Sequence, residues 1–244
     1  MSTTQDYTLN AAPLTSQQLT GRTASHVIRY DGDDWHCELH PQTLAAFLHM
    51  RAVALGDGLD LVVQSSFRDF ARQAAIWNAK FRGEKTMLDR NGCPLRATDL
   101  NPSDRVDAIL WWSALPGASR HHWGTDFDLI DRAALTGEWR DYEPQLIPAE
   151  FAPGAVFARL NGWLAEHMAE FGFFRPYDHE RARGVRPEPW HLSFAPLSVP
   201  ALTALSESVL RNAISDANIE GSEPVLASLT AIFRDYVCNI DSAG

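Results

Sequence analysis

Apolar residues recur at helical spacing over residues 41–56, where Leu44, Phe47, Leu48, Ala52 and Leu55 share one face. Pro41 suits a first helical turn and Gly56 a stop, so the pattern predicts an amphipathic helix. The next run, "LDLVVQSS" at 59–66, is short, β-branched and apolar; it predicts a buried strand ending at Ser65 or Ser66. Helical spacing returns with Phe70, Ala74, Trp77 and Phe81, and Ser66 with Asp69 three residues on has the form of a capping box. Arg68 stands between this strand and this helix.

Periodicity then fades. Residues 83–118 are rich in Gly, Pro, Asn and Asp and read as a long excursion, with a short apolar helix at "VDAILWWSAL" (106–115). Excursions of that length inside a domain are usually functional or disordered. A helix follows over about 156–171 with Leu160, Trp163, Leu164 and Met168 inward. "GFFRPY" (172–177) and "WHLSF" (190–194) read as two strands separated by a basic, proline-bounded segment. Two amphipathic helices close the chain, one carrying Leu202, Leu205, Val209 and Leu210, the other Val225, Leu229, Ile232 and Phe233. No internal repeat is visible.

A chain of 244 residues can bury a full core, and 45% apolar with 21% charged residues is ordinary for a globular protein without a membrane-spanning run. The net charge of −10 disfavours nucleic acid and anionic membranes as partners. Oligomeric state is not legible. Disorder is expected only at the termini. The first residues show no basic start followed by an apolar stretch, so a cytoplasmic protein is expected; a chain trimmed of its leader would look the same and be periplasmic. Cys37, Cys93 and Cys238 are odd in number and far apart, which argues against a disulfide framework.

The chemistry is concentrated in "SRHHWGTDFDLID", Ser119–Asp131. In an extended segment Phe127 and Leu129 face one way and Asp126 and Asp128 the other, so one or both aspartates line a cleft. Gly124 permits a bend that returns His121 toward Asp128. Imidazole and carboxylate suit Zn²⁺, and a catalytic zinc site takes three protein ligands with a fourth position open to water. His191 on the second strand is the third candidate. Pro189 bends the chain there, so that Glu188, three residues before His191, faces the same site and can take a proton from the water. His122 and His167 are read as a packed neighbour and a helix-face residue.

These stretches resemble a known family. "SRHHWGTDFD" is similar to the S-x-H-x-x-G-x-x-x-D signature, and "EPWH" to the E-x-W-H signature, of the VanY-type and VanX-type zinc D-alanyl-D-alanine carboxypeptidases of the LAS metallopeptidase group. "SSFRDFARQ" resembles a third block of that family, and the likeness runs roughly from Ala24 to Phe194. The resemblance implies an α+β fold, a small antiparallel sheet carrying the zinc site and flanked by helices, with a C-terminal helical extension. It implies His121, Asp128 and His191 as zinc ligands, Glu188 as general base, and Arg68, Gln73, Ser119 and Trp190 as contacts to a peptidoglycan-derived peptide, with Arg68 also a catalytic candidate that polarises the scissile carbonyl instead of, or besides, gripping the terminal carboxylate. Asp126 departs from the family, where a small residue is common, and places an extra carboxylate beside the metal or behind its ligands. The expected organisation is an N-terminal segment 1–23, a peptidase domain 24–197 with the excursion inserted, and a helical extension 198–244. The expected reaction is zinc- and Glu188-assisted hydrolysis that releases a C-terminal D-alanine; L,D-carboxypeptidase action on tetrapeptides and peptidoglycan endopeptidase action are the alternatives. A binding module with a vestigial zinc site is the rival from another class.

Overall fold

In the computed structural model, residues 12–32 and 34–243 are described. The residues on which the expectation about a leader rests, and most of those expected to be disordered, lie outside the described residues. A short helix, α1 (Ser16–Leu19), leads to a two-stranded hairpin, β1 (Ile28–Asp31) and β2 (His36–Leu39). Helix α2 (Pro41–Gly56) spans the predicted range with Pro41 in its first turn, although the left-handed residue that stops it is Gly58. Strand β3 (Leu61–Ser65) ends where expected, and α3 (Phe70–Phe81) follows.

The capping box does not form. Chain 66–69 stays extended long enough for Asp69 to cap α3, accepting from the Arg72 amide, while Ser66 turns back and accepts from the Glu38 amide of β2. The excursion is ordered: a hairpin of β4 (Met87–Leu88) and β5 (Pro94–Leu95), then α4 (Pro102–Leu110). Helix α4 starts and ends several residues earlier than the apolar pattern alone predicts, because Asn101 caps it and Pro102 opens it.

Strand β6 (Asp126–Asp131), helix α5 (Ala158–His167) and strands β7 (Phe173–Phe174) and β8 (His191–Phe194) complete the central part. The two closing helices expected from periodicity are several shorter ones: α6 (Ala195–Ala204), α7 (Glu207–Ser215), α8 (Ser222–Ala227) and α9 (Leu229–Ile232), the last running into one wider turn over Phe233–Val237. The first break falls at Ser206, whose hydroxyl accepts from the Val209 amide and starts α7 afresh. No described helix is long and apolar enough to cross a membrane.

The four-stranded antiparallel sheet has the order β3-β6-β8-β7. One apolar core packs its inner face against α2 and α5 through Phe47, Phe127, Leu129, Leu160, Leu192 and Phe194. A second gathers α3, α4 and the C-terminal helices around Trp77, Ile109, Leu210 and Leu229. The stretch Arg120–Trp123, one tight 3-10 turn, runs between the two, with Trp123 in the second core and Phe127 in the first.

Gly124 makes that passage feasible. Its φ is +66°, and a Cβ there would lie 2.4 Å from Val27 Cγ1 and 3.0 Å from the His40 amide nitrogen, whose N–H donates to the Gly124 carbonyl. Gly154 offers the control, since its φ is +82° but a Cβ would meet nothing within 4 Å. Gly154→Ala should cost roughly 1 kcal/mol of left-handed strain, whereas Gly124→Ala should lose clearly more in urea denaturation. Equal losses would show that the β1–β2 hairpin yields freely.

Candidate active site

The sheet register assembles the site. Asp128 lies opposite Ser65 of β3 on one side and His191 of β8 on the other. The end of β3, the start of β6 and the start of β8 therefore meet at one point, and whatever follows β3 or precedes β6 is carried there. Following β3, Arg68 points at Asp128's neighbourhood; preceding β6, the 3-10 turn returns His121, as the bend at Gly124 predicts. Just before β8, the His191 amide donates to the Glu188 carbonyl (3.0 Å), closing a turn that brings the Glu188 carboxylate to 3.3 Å from His191 Nδ1.

His121, Asp128 and His191 each offer a ligand atom within 4.8 Å of one another, and all three are buried. His121 Nε2 lies 3.5 Å from one Asp128 oxygen and His191 Nδ1 3.2 Å from the other. The opposite ring nitrogens are already committed: His121 Nδ1 to the Ser66 carbonyl at 3.0 Å and His191 Nε2 to Asp126 at 3.2 Å. Asp128 Oδ1 and His191 Nδ1, both buried, face each other at 3.2 Å without hydrogen-bond geometry, and neither has another hydrogen-bond partner among the described residues. Two imidazoles held from behind, with lone pairs turned on one carboxylate, fit a metal ion and leave little other reason for the arrangement.

Charge points the same way. Burial drives the His121 pKa down to about 3, so this ring is neutral and ready to ligate. Burial also pushes against charge on His191, but contacts with Asp126, Asp128 and Glu188 override it and hold its pKa well above the ordinary value. A ring pressed among three carboxylates marks a place that favours positive charge, a demand that a metal ion beside a neutral His191 would equally meet. Burial raises the Glu188 pKa, with the contact to His191 acting in the opposite sense, and the Glu188 side chain is 16% exposed.

A cavity of about 250 Å³ opens on these groups. Arg68, Ser119, His121, Asp128, Glu188, Trp190 and His191 all line it, so seven of the sequence-designated residues converge. Gln73 does not reach it. Fully buried on α3, it accepts from Arg68 Nη1 (2.8 Å) and donates to the Ala114 carbonyl (2.6 Å), bracing the arginine against the excursion. Burial lowers the Arg68 pKa while Asp128 and Glu188 counter this; a guanidinium remains charged regardless. Of the paired aspartates only Asp128 faces the cavity, because Asp126 sits behind His191.

Residues that the sequence reading passed over also line the cavity: Arg120, Tyr177, Val185 and the excursion's Trp112–Ala114. Tyr177 packs edge-on to His191 with ring centroids 5.2 Å apart, and burial raises its pKa to about 12. Arg120 had a signal, an arginine next to the candidate ligand; the others are brought in by long-range packing.

The sequence profile of the VanY D-alanyl-D-alanine carboxypeptidases matches residues 36–197. The chain belongs to this family. That makes it an enzyme, a metallopeptidase of the D-alanyl-D-alanine carboxypeptidase type. Two Haemophilus influenzae proteins described as uncharacterized are also similar: one 36% identical over half of this VanY-family chain and 92% of its own length, the other 38% identical over 42% and 70%. Among solved structures, VanYB in complex with D-alanine-D-alanine is 17% identical over 78% of this chain and 90% of its own, with a TM-score of 0.49. The LdcB LD-carboxypeptidase is 18% identical over 75% and 93%, with a TM-score of 0.39.

His122, beside the candidate ligand, is a structural pin. Its Nδ1 donates to the Arg68 carbonyl and its Nε2 accepts from the Gly117 amide at 3.1 Å, which only a neutral ring can do. Burial lowers its pKa to about 4, below the ordinary 6.5. The unfolded chain then binds the extra proton more readily, so His122's contribution is intact above pH 6.5 and is lost as pH falls toward 4. In chelator-treated protein, His122→Gln should flatten the fall in stability between pH 6.5 and 4 relative to the parent. Parallel curves would mean that His122 is not held neutral.

Proposed function

We propose that this chain is a zinc-dependent carboxypeptidase that removes the C-terminal D-alanine from peptidoglycan peptides, with His121, Asp128 and His191 as ligands. The observation that carries the reading is the pair of committed imidazoles turned on Asp128, with Glu188 3.3 Å from the site-facing nitrogen of His191. Bound there, zinc would supply Lewis-acid activation of the attacking water and of the scissile carbonyl. Glu188 takes the water's proton as the oxygen–carbon bond forms, and returns it to the amine as the carbon–nitrogen bond breaks. Its upward-shifted pKa suits a group that must both accept and donate.

Arg68 supports trimming from an end over cutting within a chain. A planar guanidinium forms paired hydrogen bonds with a terminal carboxylate, and Gln73 and Ser65 hold it in place at 2.8 and 3.1 Å. The cavity is smaller than the ~300–1,000 Å³ of pockets for drug-sized ligands, which favours one small terminal residue. Defined pentapeptide muropeptides should lose one alanine by mass spectrometry in the presence of zinc; loss confined to tetrapeptide substrates would establish the L,D reading instead.

Glu188→Gln should retain zinc and fold while turnover falls by about 10²-fold or more. Undiminished turnover on a good substrate would remove Glu188 from the proton path.

Amidating the peptide's C-terminus deletes the charged contact to Arg68 and leaves the scissile bond alone. A charge-assisted contact of about 1.5–3 kcal/mol corresponds to an about 10- to 150-fold drop in kcat/KM. In Arg68→Ala the same amidation should matter far less, and the four rates form a cycle that isolates the contact. A parent enzyme indifferent to amidation would favour endopeptidase action.

A further inference from the structure

Asp126 is completely buried, outside the cavity, and both its oxygens are engaged. Oδ1 accepts from Arg120 Nε at 2.7 Å and lies 3.2 Å from His191 Nε2, while Oδ2 accepts from Thr125 Oγ1 at 2.6 Å. Arg120 is equally enclosed, its side chain 3% exposed. Its Nη2 donates to Ser193 Oγ at 2.7 Å, and that hydroxyl donates to Ser198 Oγ, also at 2.7 Å. The guanidinium lies 4.7 Å from the Trp123 ring centroid.

The register explains the juxtaposition. Asp126 pairs with Ser193 and Asp128 with His191, and residues two apart on a strand share a face. The two carboxylates thus bracket one imidazole, one at each nitrogen. Asp126 can only accept from Nε2–H, which leaves Nδ1 as a lone pair toward Asp128 and Glu188 at 3.2 and 3.3 Å; with a carboxylate at each nitrogen, this tautomer is the favoured one when a cation lies between Nδ1 and Asp128. Arg120 neutralises Asp126 and pins it behind the ring, which keeps it from competing with Asp128 for a cation.

We infer that Asp126, locked by Arg120, is a positioning residue that fixes the tautomer and ring angle with which His191 presents Nδ1 to the metal. The inference rests on the metal site proposed above and adds a part that acts through a ligand without touching substrate.

The test measures zinc affinity by chelator competition for the parent, Asp126→Asn and Asp126→Ala, with nitrogen-15 NMR of the histidine rings in zinc-loaded protein. The parent should bind one zinc and show His191 protonated at Nε2 alone. Loss of a carboxylate behind a ligating histidine weakens metal binding by about 10- to 100-fold; Ala should fall at the upper end and Asn, which keeps size and one acceptor, at the lower. A purely structural Asp126 would lower the melting temperature of the metal-free variants and leave affinity and tautomer unmoved. Affinity within twofold of the parent in a folded variant would overturn the inference, as would a parent His191 protonated at Nδ1, which needs no variant. A parent that binds no zinc, or a His191→Ala protein that binds it as well as the parent, would sink the metal site itself and is distinguishable from both.

Discussion

Carboxylates inside a protein must be matched by positive charge. Breaking a buried pair by removing one partner costs about 3–5 kcal/mol, and here Asp126, Asp128 and Glu188 crowd around a single imidazole. Arg120 answers Asp126 at 2.7 Å, and Arg68 faces the other two across the cavity without contacting either in an ion pair. Among the described residues Asp128 has no arginine or lysine paired with it, and its two oxygens face the imidazoles of His121 and His191 at 3.5 and 3.2 Å. Asp128 Oδ1 and His191 Nδ1, which face each other without hydrogen-bond geometry, mark the spot that a cation fits. Much of the local architecture, the committed far nitrogens included, follows from keeping that spot prepared.

The preparation depends on backbone pairing more than on any one side chain. Because Asp128 sits opposite both Ser65 and His191, a one-residue slip of β6 would turn Phe127 toward the cavity and Asp128 into the apolar core. The large apolar residues Phe127, Leu129 and Leu192, all fully buried, make that slip prohibitive. Core packing thereby sets the site geometry.

This is also why the site was legible in the sequence to the extent that it was. Alternation in "DFDLID", a glycine before it and a proline before His191 are local signals, and they point to the convergence of His121, Asp128, Glu188 and His191 on one cavity. Gln73 was misplaced because its partner, the Ala114 carbonyl, comes from an excursion whose path no local pattern reveals. The split of the closing helices turned on Ser206, a cap hidden inside an uninterrupted apolar periodicity. The false capping box had the opposite cause: Ser66 was a good local cap that a partner 28 residues away, the Glu38 amide, took for itself.

The second core gives the cavity its shape. The sheet and the turn before β6 provide the candidate ligands, and the excursion segment Trp112–Ala114 forms another part of the cavity wall. That wall is tied to α3 twice: Lys80 Nζ donates to Ser113 Oγ at 2.6 Å and Gln73 to the Ala114 carbonyl at the same distance. Helix α3 is in turn held by the segment between α7 and α8, with Trp77 Nε1 donating to the Glu220 carbonyl and Asn78 to the Asn218 carbonyl. Arg68 shares the Gln73 brace with the wall, so the cavity's guanidinium and the excursion segment that lines the same cavity are set by one side chain. Helices α7 to α9 lie outside the matched family region and supply none of the cavity's lining residues, yet the segment between α7 and α8 braces the helix that carries Gln73 and Lys80.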